Sequence, residues 1–247
     1  MAKELIRLDK LLSSSRWSRK EARTLIRRGA VQVDGTVVRS ADAKADPACQ
    51  HITVEGEPLV WQRFVYYLLH KPAGYLTATE DRSAPTVLDL VPQELRRPGL
   101  APVGRLDKDT TGLLLLTDDG ALNHALCAPR RHVDKVYLAR VEGEAGAADV
   151  EAFAAGLVLG DGTQCRPARL EPLGPGLCRV TVAEGKFHQV KRMLACRGLP
   201  VQALKRLCVG PLSLEDSLKE GCIRPLREDE VEKLRAVSGC DSRDSSK

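Results

Sequence analysis

The sequence predicts an α+β protein in two parts, a small N-terminal module and a larger domain. Three observations carry this. The first sixty residues hold two short helical patterns and one hairpin signal. Gly56-Glu57-Pro58 then punctuates the chain as a linker region would. Beyond it, apolar or alternating runs at 64–69, 113–116, 135–141, 166–171, 177–182 and 204–212 read as strands, with helical patterns at 122–126, 150–155 and 229–237 and a turn passing into a helix within 184–194. The expected domains are 1–60 and 61–237. A polar tail, 238–247, has no apolar period and is expected to be disordered.

The totals fit this reading. At 247 residues the chain is long enough for two domains. A hydrophobic fraction of 43% beside 29% charged residues describes a soluble globular protein. No apolar run approaches the roughly 20 residues needed to cross a bilayer. Met1-Ala2-Lys3-Glu4-Leu5-Ile6-Arg7 has no apolar signal core, so neither export nor a membrane partner is expected. The eight Cys are scattered, with no Cys-x-x-Cys pair and no clustering with the five His. That argues against structural zinc and for reduced thiols in the cytoplasm. The net charge of +5 suits a nucleic-acid partner without requiring one.

In the first module, Leu8, Leu11 and Leu12 fall at helical spacing, and Ser13-Ser14-Ser15 breaks that helix. Ser18 and Glu21 fit a capping box opening a second helix. Ala22, Leu25 and Ile26 form its apolar stripe, and Gly29 is placed to end it. Arg19, Arg23 and Arg27 share one face, with Arg16, Lys20 and Arg28 beside them and Glu21 alone opposing. Such an imbalance suits a phosphate backbone. Val31-Gln32-Val33-Asp34-Gly35-Thr36-Val37-Val38 reads as a hairpin with an Asp-Gly turn.

In the larger domain, the strand at 64–69 stops at His70-Lys71-Pro72-Ala73-Gly74, where Pro and Gly break it. Gly104-Arg105-Leu106-Asp107-Lys108-Asp109-Thr110-Thr111-Gly112 is a polar loop. It runs into Leu113-Leu114-Leu115-Leu116, a strand buried on both faces, and Thr117-Asp118-Asp119-Gly120 closes it with turn chemistry. A rigid strand after a polar loop is a good way to hold one carboxylate still. In Lys135-Val136-Tyr137-Leu138-Ala139-Arg140-Val141, Tyr137 and Val141 share a face. Glu184-Gly185-Lys186-Phe187-His188-Gln189-Val190-Lys191-Arg192-Met193-Leu194 passes from a turn into a helix that stops near Arg197-Gly198. The last strand is expected at 204–212 and the last helix at 229–237.

The stretch from Gly104 through Asp107, Thr110 and Gly112 to the four Leu and Thr117-Asp118-Asp119-Gly120 resembles the catalytic motif of the pseudouridine synthases. In that family the Asp is essential. Lys71-Pro72-Ala73-Gly74 resembles its first motif, and the segment around His188-Gln189-Val190-Lys191 its third. Arg7-Leu8-Asp9-Lys10-Leu11-Leu12, Ser18-Arg19-Lys20-Glu21-Ala22-Arg23 and Gly29-Ala30-Val31-Gln32-Val33-Asp34-Gly35 resemble an S4 RNA-binding domain. The arrangement is most similar to the RsuA-type enzymes, which modify a uridine in small-subunit ribosomal RNA. The resemblance implies an S4-like domain followed by a catalytic domain whose sheet is mixed and mostly antiparallel, flanked by helices, with the Asp loop opening on a cleft.

It also implies roles. Asp107 is the catalytic carboxylate, Tyr137 packs on the target base, and Lys191 is the basic residue that pairs with Asp107. Arg7, Lys10, Arg19, Lys20, Arg23, Arg27 and Arg28 are the implied RNA contacts. Arg105, two residues before Asp107, is suited to stack where the flipped base had been, because its guanidinium is flat. His188 is read as a positioning group, and Lys71 as structural or phosphate-contacting rather than catalytic. The implied reaction needs one carboxylate at the sugar, since the leaving base is also the acceptor and no water is activated. No metal or organic cofactor is expected, and the enzyme is expected to be a monomer. Two rival readings are a large-subunit ribosomal RNA target and a non-catalytic S4-type ribosome assembly factor.

Overall fold

The computed structural model describes residues 5–15 and 17–239. Packing divides the chain into two compact units. One runs up to Val65 and includes Gln93–Gly99, and the other holds Tyr66–Pro92 and the residues from Leu100 onward. The expected division fell after residue 60. Trp61 belongs with the first unit, where its ring packs against the core and its indole N–H donates to Ser14 Oγ at 3.2 Å.

The first unit begins with β1 (Ile6–Arg7), α1 (Leu8–Ser13) and α2 (Arg19–Arg27). It continues with β2 (Val31–Val33), β3 (Thr36–Val38), β4 (Lys44–Ala45), β5 (Ile52–Val54) and β6 (Glu57–Pro58). Helix α2 opens as expected. Ser18 Oγ accepts from Glu21 N at 3.3 Å and Glu21 Oε2 accepts from Ser18 N at 2.7 Å. Such a cap stabilises a helix by about 1 kcal/mol. Gly29 ends α2 in the left-handed region, and Gly29 N and Ala30 N return to Ile26 O and Leu25 O. Asp34 and Gly35 both have positive φ, so the β2–β3 hairpin turns through type I′ geometry, which matches the twist of its strands. Leu8, Leu11, Leu12, Ala22 and Ile26 are fully buried and join Val31 and Val54 in one core.

The second unit is built on a nine-stranded sheet. Its elements are β7 (Tyr66–Lys71), β8 (Ala101–Pro102), β9 (Thr111–Thr117), α3 (Gly120–Cys127), β10 (Lys135–Val141), α4 (Ala147–Ala155) and β11 (Arg169–Gly174). There follow β12 (Leu177–Val182), α5 (Gln189–Ala195), β13 (Val201–Val209), β14 (Leu212–Ser213), β15 (Ile223–Pro225) and α6 (Glu228–Ser238). The strand order is β11-β12-β10-β13-β9-β7-β15, with β14 beside β13 and β8 beside β9. The sheet is mixed and mostly antiparallel, since among the described strands only β13 and β9 pair in parallel. The four Leu of β9 are 0–3% exposed, so this strand is buried on both faces as its continuous apolar run requires.

Four expectations shift, one of them the strand expected at 166–171, which is β11 over Arg169–Gly174. β7 starts at Tyr66 and extends through Lys71, because Lys71 pairs with Gly112 across the ladder. The run at 204–212 is two strands, since Gly210, at φ +53, turns the chain back so that Leu212 pairs Val209. It is not the last strand either: β15 follows and pairs β7 at the edge. The expected tail begins too early, because Ser238 is the buried last residue of α6 and Gly239 caps it. Residues 240–247 lie outside the described residues. No helix among those described is long and apolar enough to cross a membrane.

Candidate active site

Asp107 sits on a loop held from several sides. Thr77 Oγ1 donates to Leu106 O at 2.7 Å and accepts from Leu106 N at 3.1 Å. Gly74 N donates to Lys108 O at 2.8 Å, and Thr110 N closes a turn on Asp107 O at 3.1 Å. Below the loop, Lys71 is fully buried and donates to three carbonyls: Pro72 at 3.0 Å, Lys108 at 3.2 Å and Thr110 at 2.9 Å. Burial pulls its ammonium down from an ordinary 10.5 to about 8, against the attraction of Asp109 and Asp107. This side chain is a structural pin. The loop then enters β9 through Gly112, whose φ is +108 and where an added Cβ would lie 2.2 Å from Arg206 O. Only glycine permits the parallel approach of β9 to β13 there.

The partners of Asp107 arrive from eighty residues further along. Glu184, 7% exposed, accepts from Arg166 N at 3.0 Å and Gln189 Nε2 at 2.6 Å, and Gln189 Oε1 accepts from Lys186 N at 2.9 Å. Burial pushes the Glu184 carboxyl up, but the hydrogen bonds from Arg166, Lys186 and Gln189 outweigh it and hold it below its ordinary value. This clamp fixes the turn, with His188 at φ +47, before α5 begins. Lys191, one turn into the helix, places Nζ 3.4 Å from Asp107 Oδ2 and 2.6 Å from Asp109 Oδ1. His188 Nε2 lies 3.3 Å from Asp107 Oδ1. Phe187 stacks on the His188 ring at 3.8 Å and is 71% exposed. Arg192 turns elsewhere, to Asp161 at 2.5 Å.

These groups open on one cavity of about 390 Å³, lined by Arg105, Asp107, Tyr137, His188, Lys191 and Arg206 among others. Tyr137, on β10, is 9% exposed and sits directly across from Arg206 on β13. Arg105 is exposed. The four residues expected in the site, Arg105, Asp107, Tyr137 and Lys191, therefore share it. His188, read as a positioning group, reaches Asp107 directly. Two features were missed. Asp109 is the nearer acid to Lys191, and that ammonium holds its carboxyl below the ordinary range. Arg206 is a buried cation, for which the signal was an arginine at an inward position of an alternating strand. Among the described residues no group of three or more His, Cys, Asp or Glu is placed to hold a metal ion.

In the first unit, the seven expected contact residues are all exposed. Three are committed to acids: Arg7 to Asp9 and Asp42, Arg23 to Asp9, and Arg28 to Glu55. Among the described residues, Lys10, Arg19, Lys20 and Arg27 have no acidic partner. Arg16 lies outside them.

Asp107, flanked by Lys191 and His188, thus shares its cavity with the buried Tyr137. Residues 65–196 match the family described as RNA pseudouridylate synthase, and residues 6–47 match the S4 domain. The chain is an RNA pseudouridine synthase, an isomerase, and belongs to that family. Among its relatives, the uncharacterized RNA pseudouridine synthase YtzG of Bacillus subtilis (strain 168) is 41% identical over 93% of this chain and 98% of its own. The ribosomal small subunit pseudouridine synthase A of Escherichia coli (strain K12) is 40% identical over 92% and 98%. A crystal structure of a pseudouridylate synthase is 37% identical with a TM-score of 0.66, covering 93% of this chain and 99% of that one.

Proposed function

We propose that this enzyme converts a uridine of small-subunit ribosomal RNA to pseudouridine, with Asp107 as the catalytic carboxylate. The observation that carries the mechanism is the pairing of Asp107 with Lys191 at 3.4 Å across 84 positions of sequence, in a cavity shared with Tyr137. The choice of RNA follows the relatives named for the small ribosomal subunit, such as that of Escherichia coli.

The reaction breaks N1–C1′ and joins C5 to C1′. C5 loses a proton and N1 gains one, so the formula is unchanged. The target must leave its stack before C1′ is reachable. Arg105, exposed at the cavity rim, fills the gap in the RNA with its flat guanidinium. Tyr137 stacks on the base, which every pyrimidine ring allows. Asp107 then acts on the ribose, by attack at C1′ or by taking the C2′ proton. Lys191 stays paired with that carboxylate as RNA closes the cavity and removes water. Lys10, Arg19, Lys20 and Arg27, free of acids, contact phosphates of the same RNA.

Asp107→Asn tests the core of this reading. The variant is expected to bind RNA and form no pseudouridine, and product in that variant removes Asp107 from the mechanism. Mapping pseudouridines in both ribosomal subunits of cells lacking the protein tests the substrate: a site lost from the large subunit alone overturns the small-subunit assignment. Arg105→Ala is expected to slow turnover and to be partly rescued when the target uridine is already unpaired.

A further inference from the structure

We propose that Arg206 is a catalytic residue of this reaction, donating an N–H to the uracil ring as it leaves the sugar with a negative charge. The inference rests on the reading that Asp107 and Tyr137 hold the ribose and base in this cavity.

Arg206 lines the cavity yet is 2% exposed. Among the described residues its side chain makes a single hydrogen bond, from Nε to Leu113 O at 2.8 Å. Its Nη2 is buried with no partner, and no carboxylate pairs with the guanidinium. A second cation lies close by. Lys135, on the same face of β10 as Tyr137, is held below its ordinary pKa by burial first and by the Arg206 charge second. Burying an unpaired charge costs several kcal/mol unless something else compensates it. The missing partner is supplied with the substrate.

The geometry selects which part of the substrate. Asp107 takes the ribose at one side of the cavity. Arg206 lies directly across the β10–β13 ladder from Tyr137, the residue that stacks on the base. The group beside that ring is therefore the base, whose exposed acceptors are its carbonyl oxygens. When N1–C1′ breaks, the electron pair stays with the base, and the charge spreads onto those oxygens. A fixed, desolvated guanidinium stabilises this anion far more than the neutral base of the ground state. Bonding of C5 to C1′ returns the pair, and loss of the C5 proton with protonation of N1 completes the isomerisation. Nε, tied to Leu113 O beside the Gly112 approach, keeps the group from swinging away.

The test compares Arg206→Gln and Arg206→Lys with the unaltered enzyme in single-turnover reactions. The substrates are an RNA carrying uridine at the target and the same RNA carrying 5-fluorouridine. The readout is loss of the N-linked nucleoside from nuclease digests. Removing one preorganised donor to a developing anion costs about 100-fold in rate, and this is the expected loss for Arg206→Gln on uridine, with RNA affinity within about threefold. Fluorine stabilises the free uracil anion, so the loss on 5-fluorouridine is expected to shrink about tenfold. Arg206→Lys is expected to fall between, and its own ratio across the two substrates serves if Arg206→Gln fails to fold. An equal loss on both nucleosides, or a loss confined to affinity, overturns the proposal. Asp107→Asn is run beside it. If that variant is inactive on both substrates while the Arg206 losses are equal, only the Arg206 assignment falls; if it turns over, the reading beneath falls first.

Discussion

Lys191→Met removes the cation beside Asp107, the proposed catalytic carboxylate, and keeps much of the side chain's length. At 3.4 Å two unit charges attract by about 5 kcal/mol at an effective dielectric of about 20. Both side chains are about a quarter exposed, at 22% and 26%, and solvent on that side roughly halves the interaction. A loss of about 2–3 kcal/mol corresponds to a rate lower by about 100-fold. The effect belongs to the reacting sugar, so RNA affinity is expected to change little. The assay is single-turnover pseudouridine formation with affinity measured in parallel on the same RNA. Asp109→Asn is the control that decides which acid Lys191 serves. Asp109 is the nearer acid, at 2.6 Å, but its side chain is 75% exposed, so its loss is expected to alter the rate by less than about threefold. Near-normal turnover in Lys191→Met, or a larger loss in Asp109→Asn, refutes the pairing of Lys191 with catalysis through Asp107.

Lys71→Met strips the donor from three carbonyls under the Asp107 loop and is expected to cost about 2–4 kcal/mol of stability, read by urea unfolding, with turnover falling alongside. Gly112→Ala forces a Cβ to 2.2 Å from Arg206 O and is expected to cost more than about 3 kcal/mol, seen as a lowered melting temperature. Glu230, 5% exposed, accepts from Arg224 at 2.8 Å, which holds its carboxyl below the ordinary 4.5. The stabilisation is therefore complete above about pH 4.5 and lost as the pH falls below it. Glu230→Gln is expected to flatten that acid limb in melts taken from pH 3 to 6. Replacing Lys20 with Gln is expected to lower the salt slope of RNA affinity by about one contact, and Arg23→Gln, whose charge already serves Asp9, by less.

What the sequence made legible was what is local. The Ser18–Glu21 box, the Asp34-Gly35 hairpin and the strand at 177–182 depend on neighbours a few residues away. The loop around Asp107 was legible because its motif is contiguous. Lys191 was found through resemblance, since nothing in its own helix points at residue 107. What was hidden depends on pairing between distant strands. The bond of Lys71 to Thr110 O exists because β7 runs two residues further to meet Gly112. The place of Arg206 in the cavity wall follows from its register against Tyr137 and Gly112. A period-2 pattern gives the face of a side chain and says nothing of which strand lies beside it.

The division of charge in the cavity follows from the substrate. RNA brings phosphates, so cations at the mouth assist entry, and a lone carboxylate there faces repulsion. Asp107 meets this with Lys191 and His188 on its two oxygens, at 3.4 Å and 3.3 Å. Beside Tyr137, Arg206 and Lys135 give the cavity a positive stretch of floor. A floor of that sign would oppose a positive sugar intermediate if the ribose lay upon it. It favours a negative base in the same place. On the proposed reading, with the ribose at Asp107 and the base over Tyr137, each half of the broken N1–C1′ bond meets the opposite charge.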